Sequence, residues 1–344
     1  MKHYLTLIFS IFPFLLFSQS LNDLSFGEEG SFEAISWNLE FFPKNDQITI
    51  DSTALAISQL QADVLALQEI DDISAFQQLD ASLDDYTGYI IAENYSNLKL
   101  AYLVKNDVQV VSCNSILTSS TYNYMFAGRP PLLLEVIHGG NTFFIINVHL
   151  KCCGDGSLDT SDSSDQENRR WQAVNQIKSY IDNYLSNERV IVLGDFNDLL
   201  QDTPNHNVFQ SVLDDTQNFL FTDLIIANSS SENWSYPSWP SHLDHILITN
   251  ELFIDFENSY NNVQTILIDD YFANGFSAYD NCISDHRPVG LKLWSVSTIQ
   301  ELLKPKGQLV EIRNLSGQKD LPKKSQLQLY LFQGGQVEKN IIIE

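Results

Sequence analysis

The chain has 344 residues, 44% of them hydrophobic and 18% charged, which is enough apolar material for a large core and excludes disorder as the default state. Its formal net charge of −25 is unevenly placed: residues 21–296 hold 11 Lys and Arg against 39 Asp and Glu, a balance of −28, while residues 297–344 hold 7 against 5, a balance of +2. A domain this acidic lacks the basic stripe of a tight nucleic-acid binder, so a polyanionic ligand would have to be held by a few local cations and by metal.

In chain order, Met1, Lys2 and His3 precede an apolar run from Tyr4 to Phe17 and then the polar Ser18, Gln19 and Ser20. This is the order of a secretory signal peptide, expected over residues 1–19. The run is too short to span a bilayer comfortably and no later segment approaches that length. A secreted, monomeric chain without stable membrane insertion is therefore expected, with a main domain over 20–296 and a small module over 297–344. The four cysteines, Cys113, Cys152, Cys153 and Cys282, allow two disulfides in an oxidising compartment. No CxxC pair or HExxH helix accompanies them, which argues against zinc.

Short β-branched and aromatic runs at 31–39, 63–70, 100–105, 107–113, 131–137, 142–150, 189–197, 243–249 and 287–294 read as strands. Helical patterns lie between some of them, at 52–60 and at 165–187, where Trp171, Val174, Ile177, Ile181 and Leu185 recur at helical spacing and Asp165 and Glu167 suit the N-terminus. His138-Gly139-Gly140-Asn141 reads as a hairpin turn, so the sheet is expected to be mixed and the class α/β with antiparallel pairs. Residues 152–165 and 227–241 read as surface loops, the first acidic with Asp155, Asp159, Asp162 and Asp165 but without EF-hand spacing, the second rich in Ser, Pro and aromatic residues. Past Trp294 the pattern turns to short strand-like pieces with Gly-bearing turns, a separate small β-module.

Acidic or amide residues close one strand after another: Asn38 and Glu40, Gln68 and Glu69, Asn147 and His149, Asp195 and Asn197. Any single one could merely cap a turn, but strand ends are where α/β sheets assemble sites from distant parts of the chain. Carboxylates beside Asn carbonyls suit Mg²⁺, Mn²⁺ or Ca²⁺, and a hard metal implies an oxyanion substrate. His149 could donate or orient a proton, and His286 could act on an attacking water, with Asp244 fixing its tautomer.

The segments NLE (38–40), LQE (67–69), NVHLK (147–151), GDFN (194–197), LDHIL (243–247) and SDHRP (284–288), in this order, resemble the endonuclease/exonuclease/phosphatase superfamily, whose fold is that of DNase I. The match runs from Phe32 to about Trp294. The resemblance implies a four-layer α/β sandwich with two sheets flanked by helices, and a site at one end. It implies Glu69 as principal metal ligand, Asn38 and Asp285 near metal or phosphate, Asp195 and Asn197 on the scissile phosphate and the water, His149 and His286 flanking it, and Asp244 orienting His286. Arg129 matches a phosphate-facing basic position, and Lys151 and Arg287 are expected to join it at the substrate. The role of Glu40 is left open, and His245 departs from the aromatic or basic residue of many relatives. If both histidines face one phosphate, Cys282 is expected to bridge to Cys152 or Cys153, since each flanks one of them. The C-terminal segment resembles the sorting module of type IX secretion, implying a partner in that machinery.

These expectations lead to a secreted, Mg²⁺-, Mn²⁺- or Ca²⁺-dependent phosphodiesterase, foremost a nuclease acting on DNA or RNA. A sphingomyelinase-like or inositol-phosphate phosphatase of the same fold is the alternative, the aromatic loop at 227–241 suiting either bases or lipid. A non-enzymatic binding protein should have lost a motif member, and none of the central ones is missing.

Overall fold

The computed structural model describes residues 20–92, 97–257 and 262–294, and in the C-terminal segment 309–314, 319, 328–332 and 337–340. The expected signal peptide lies outside the described residues, as does much of the expected sorting module. The chain divides into two compact units, Met1–Ser295 and Val296–Glu344.

In the first unit, one six-stranded sheet holds β1 (Phe32–Phe42), β2 (Val64–Ile70), β3 (Tyr86–Ile90), β4 (Lys99–Lys105), β11 (Val263–Thr265) and β12 (Val289–Leu293), in the order β11-β12-β1-β2-β4-β3. The other holds β5 (Gln109–Ser115), β6 (Leu132–His138), β7 (Asn141–His149), β8 (Val190–Asp195), β9 (Phe219–Phe221) and β10 (Asp244–Thr249), in the order β5-β6-β7-β8-β10-β9. Among the described residues β1 with β2 and β7 with β8 pair in parallel and the other strand pairs are antiparallel, so both sheets are mixed as expected. Central strands such as β2 and β8 are buried along most of their length, because both faces are covered and every position favours an apolar residue.

Three apolar layers hold the unit together. Ala34, Ala66, Leu134, Ile145, Ile191, Ile246 and Leu291 fill the space between the sheets. Outside the first sheet, Trp37, Leu39 and Leu67 pack under α1 (Asp46–Leu60), α2 (Ile73–Ala81) and the helix Phe276–Cys282. Outside the second, Ile146, Val148 and Val192 pack under Val174, Ile177 and Ile181 of the helix Gln166–Tyr184. Each fully buried side chain of this size contributes about 1.5–3 kcal/mol relative to exposure. The result is the expected four-layer α/β sandwich.

The hairpin joining β6 and β7 pairs His138 with Asn141, and Gly139 and Gly140 both take positive φ, 55° and 77°, as a two-residue type I′ turn requires. Helix α1 begins six residues before the expected start. Its first turns carry the β-branched Ile48, Thr49 and Ile50, poor helix formers, but burial of Thr49, Ile50 and Thr53 overrides that preference. Helix α2 escaped the sequence pattern, although Asp72 announces it by capping Ser74 N and Ala75 N.

Register gathers the strand ends. His149 pairs with Asp195, and Asp195 with Asp244, the first residue of antiparallel β10. In the other sheet Asn38 pairs with Gln68 before a bulge, and β12 enters opposite Ser36, which leaves residues 284–287 beside the end of β1. In the second unit, β13 (Leu309–Arg313), β14 (Gln328–Phe332) and β15 (Val337–Asn340) form an antiparallel three-stranded sheet. No helix among the described residues is long and apolar enough to cross a membrane.

Candidate active site

At the shared end of the two sheets lies a cavity of about 490 Å³ lined by Glu69, His149, Asp195, Asn197, Asp285 and His286 among others. Asn38 ties the sheets together beneath it: its Nδ2 donates to Glu69 Oε1 (3.2 Å) and to Asp195 Oδ2 (3.0 Å), and its Oδ1 accepts from Glu40 N (2.9 Å). Glu69 Oε2 accepts from Phe41 N, and Asp195 Oδ1 from Asn197 N. Of the nine non-glycine residues with positive φ among the described residues, five line this cavity: Glu40, Phe41, Glu69, Cys153 and Asn197. Each left-handed conformation costs on the order of 1–3 kcal/mol, and strain held by surrounding structure gathers at functional sites.

The two histidines are set in opposite states. His286 Nδ1 meets Asp244 Oδ2 at 2.7 Å, both side chains buried. Burial opposes charge on His286, but Asp244, Asp195 and Asp285 outweigh it and push the imidazole up to about 10, so it carries two protons at neutral pH. Its backbone is fixed by Ser284 Oγ, which accepts from His286 N and donates to Asn38 O, and by Tyr279, whose hydroxyl donates to His286 O. The Tyr236 ring lies tilted over the imidazole, centroids 4.8 Å apart. His149 is held well below its ordinary value, first by burial and then by Arg129 and His286, so it is neutral. Its Nε2 stands 3.6 Å from Asp195 and 3.8 Å from Glu69.

The cavity is short of positive charge. Seven carboxylates line it (Glu40, Glu69, Glu167, Asp195, Asp198, Asp202 and Asp285) and no Lys or Arg among the described residues does. Burial, with Asp244 and Glu69 nearby, pushes Asp195 up to about 7, and burial, with Glu40 and Glu69, pushes Asp285 up to about 6. Ligand atoms of Glu69, His149 and Asp195 lie within 4.8 Å of one another. Crowded hard oxygen donors that resist ionising together fit a divalent cation, with Glu69 and Asp195 close enough to share it and Asp285 on the same cavity wall. Asn38, expected beside the metal, accepts from Glu40 N through its oxygen and positions the two carboxylates through its NH₂.

A model of the endonuclease/exonuclease/phosphatase family matches residues 35–286, which spans nearly the whole first unit. The chain belongs to this family. Family members are metal-dependent phosphoric ester hydrolases, and the chain is an enzyme of that class. Its fold is similar to humanized D. rerio TDP2 (14% identity, 77% of this chain and 100% of that one, TM-score 0.57). It is also similar to D. rerio TDP2 complexed with single-strand DNA product (15%, 77% and 99%, 0.56) and to an endonuclease/exonuclease/phosphatase from Bacteroides vulgatus (13%, 76% and 98%, 0.51). No curated protein matches the sequence.

The three cations expected at the substrate are engaged elsewhere in this family member. Arg129 donates Nε to His149 O (3.0 Å) and an Nη to Leu150 O (2.8 Å), and lines a neighbouring cavity with Lys151, whose Nζ donates to Cys152 O. Arg287 is buried against Asp269 (Nε to Oδ1 2.9 Å) and donates to Glu232 O. A long cation in an acidic domain is captured by the nearest carboxylate or carbonyl, which sequence spacing does not show. Gln68 and Asn147 likewise bridge the sheets, Gln68 Nε2 donating to Asn147 Oδ1 (2.8 Å), outside the cavity lining.

Asn197 lines the cavity as expected, its Nδ2 donating to Leu150 O. Glu40 joins it, accepting from Asp285 N and from Lys44. The expected bridge from Cys282 is a correction: all four cysteines are free. Cys282 packs on the outer core of the first sheet, whereas Cys152 and Cys153 follow β7 of the second. Sequence reasoning missed a buried network behind the site. His245 Nδ1 faces Asp223 Oδ2 (2.6 Å) and Nε2 faces Asp198 O (2.9 Å), while His242 Nε2 faces Asp223 (3.1 Å). Asp198 also holds Arg170 at 2.7 Å. The ring nitrogens of both histidines are committed to protein partners, His242 Nδ1 accepting from Ser235 N, which makes Asp223, His242 and His245 a buried hydrogen-bonded network. The signal available was the pair of histidines flanking Leu243 and Asp244 in an otherwise apolar strand.

Proposed function

We propose that the chain is an exported phosphodiesterase of the nuclease type, using Mg²⁺ or Mn²⁺ (with Ca²⁺ as a substitute to test) on single-stranded nucleic acid. The observation that carries this reading is the acidic, cation-poor cavity that joins Glu69, Asp195 and the Asp244–His286 pair to an aromatic rim. That rim is Tyr236, Phe41 (57% exposed) and Trp239 (79% exposed). Without Lys or Arg in the lining, a substrate held only through many phosphates fits poorly, which weighs against inositol phosphates and duplex DNA. A base, by contrast, offers a face for stacking, worth about 1–3 kcal/mol. The D. rerio TDP2 structure with single-strand DNA product supports the same substrate class by fold likeness.

In this reading Glu69, Asp195 and Asp285 hold the metal, which when bound draws charge from a phosphoryl oxygen and from the leaving oxygen. Asp244 fixes the Nδ1 proton of His286, so that its Nε2 proton is offered to the phosphate. Neutral His149 receives or orients a proton on the opposite side, beside Asp195, and Asn197 helps to fix the phosphate or the attacking water. Arg129 and Lys151 line the neighbouring cavity and Arg287 is bound to Asp269, so in this reading none of the three grips the substrate.

Export rests on the charged start and apolar run of residues 1–19, and a sorting role for residues 297–344 on their resemblance and their three-stranded sheet. N-terminal sequencing and intact mass of protein recovered from culture medium test both. The substrate is tested by a panel of single-stranded DNA, RNA, duplex DNA, sphingomyelin and inositol phosphates with each metal. Single-stranded nucleic acid is expected to be cleaved fastest, and Trp239→Ala to raise its KM about 5- to 100-fold. Faster sphingomyelin turnover would transfer the rim to a lipid.

A further inference from the structure

The segment after β7 holds two thiols in contact on the cavity wall. Cys152 Sγ and Cys153 Sγ are 3.0 Å apart, about 1 Å longer than a disulfide bond. The contact is built. Arg170 Nη1 donates to Lys151 O (2.7 Å) and Cys153 O (2.6 Å), Arg129 to Leu150 O, and Lys151 Nζ to Cys152 O. Cys153 takes φ +70°, and next to it Gly154 leaves no room for a Cβ, which would stand 2.0 Å from the Glu167 carboxylate.

We propose that Cys152 and Cys153 form a redox-active vicinal dithiol that closes to a disulfide by exchange with a small-molecule disulfide. The pair is polarised in one direction: the Cys153 thiol donates to Cys152 Sγ, and Lys151 Nζ stands 3.4 Å from the same sulfur. A neighbouring ammonium favours the thiolate, so Cys152 is the attacking sulfur. It displaces one thiolate from the oxidant and forms a mixed disulfide. Cys153 then attacks Cys152 Sγ and expels the second thiol. Two electrons pass to the oxidant, and the two protons from the cysteines leave on the two released thiols.

The other cysteines do not compete. Burial pushes the Cys113 thiol up to about 11, and Cys282 packs against the first-sheet core. The product is a labile bond rather than a structural staple. Adjacent Cα atoms stand about 3.8 Å apart, short of the usual disulfide span of about 4.4–6.8 Å, and strained or exposed disulfides are the readily reduced ones.

The test uses the reduced full chain equilibrated with oxidised glutathione, then reopened with dithiothreitol. Two of the four thiols should disappear and return. Trypsin, cutting after Lys151 and Arg169, releases peptide 152–169, which holds both sulfurs and no other cysteine. It should be lighter by two hydrogens and resist alkylation. Cys153→Ser should stop at glutathione on Cys152, and Cys282→Ser should close like the parent. Four thiols persisting at every glutathione ratio, a stable glutathione adduct on the parent chain, or a peptide cross-linked to Cys282 would each overturn the proposal.

Discussion

Asp244→Asn removes the carboxylate hydrogen-bonded to His286 Nδ1 while keeping the shape of the side chain. The imidazole rises from 6.5 to about 10, which at about 1.4 kcal/mol per unit is a preference of about 5 kcal/mol for the charged form, shared among Asp244, Asp195 and Asp285. Loss of one close opposite charge lowers such a pKa by about 1–3 units. The folded-state value is raised, so the stabilisation is complete below 6.5 and is lost as pH rises through about 10. The variant should therefore be less stable than the parent by about 1–4 kcal/mol at low and neutral pH, and the gap should close towards pH 10. Urea melts in chelator, so that no metal contributes, measure that gap. With metal restored, kcat on a nucleic-acid diester should fall about 10²- to 10⁴-fold, because Nδ1 loses its anionic partner and the proton at Nε2 is no longer held. A stability gap independent of pH, or turnover within about threefold of the parent, would refute the assignment of Asp244 to His286.

Two further predictions probe stability rather than chemistry. At the opposite end of β1, burial and then repulsion from Asp63 push Glu33 up to about 7 from 4.5, so its favourable protonated form is lost as pH rises across that window. Glu33→Gln should remove up to about 3 kcal/mol of stability loss over the same range, and an unchanged pH slope in urea melts would show that Glu33 titrates normally. At Gly194 an added Cβ would sit 1.9 Å from Val148 O, whereas at Gly139 it meets nothing within 4 Å. Gly194→Ala should cost more than about 4 kcal/mol or prevent folding, and Gly139→Ala only about 1 kcal/mol. Comparable melting shifts for the two would contradict the close packing of β7 on β8.

The strand-end pattern was legible because parallel and antiparallel registers both bring strand ends to one edge. Glu69, His149 and Asp195 meet there, as their positions after apolar runs suggested, and Asp285 and His286 reach them from the turn before β12, with Asp244 behind His286. What escaped depends on side-chain direction. Asn38 faces the carboxylates with its NH₂ rather than its oxygen, and Arg129 is turned to the carbonyls of residues 149 and 150. Cys282 was expected to follow His286 to the cavity, but it ends a helix whose apolar face is committed to Trp37 and Leu39 of the first-sheet core. Proximity in sequence carried the histidine and not the cysteine. Gln68 and Asn147 share the strand-end pattern and yet bond to each other, to Ser36 and to backbone rather than to the cavity residues, which the pattern cannot separate from a site role.

The central claim is that the crowded carboxylates are a divalent-metal site on which hydrolysis depends, with Glu69 the principal ligand. Calorimetric titration of Mg²⁺ and of Mn²⁺ into the parent chain and into Glu69→Gln, with turnover of single-stranded DNA followed over the same metal range, tests it most directly. Glu69 accepts from Asn38 Nδ2 and from Phe41 N; a Gln oxygen keeps one of these bonds and loses the other, so the variant should still fold, with stability lowered by about 1–3 kcal/mol. The account predicts metal binding weakened about 10- to 100-fold or more and activity lost in parallel. Parental metal affinity and turnover in Glu69→Gln would contradict it.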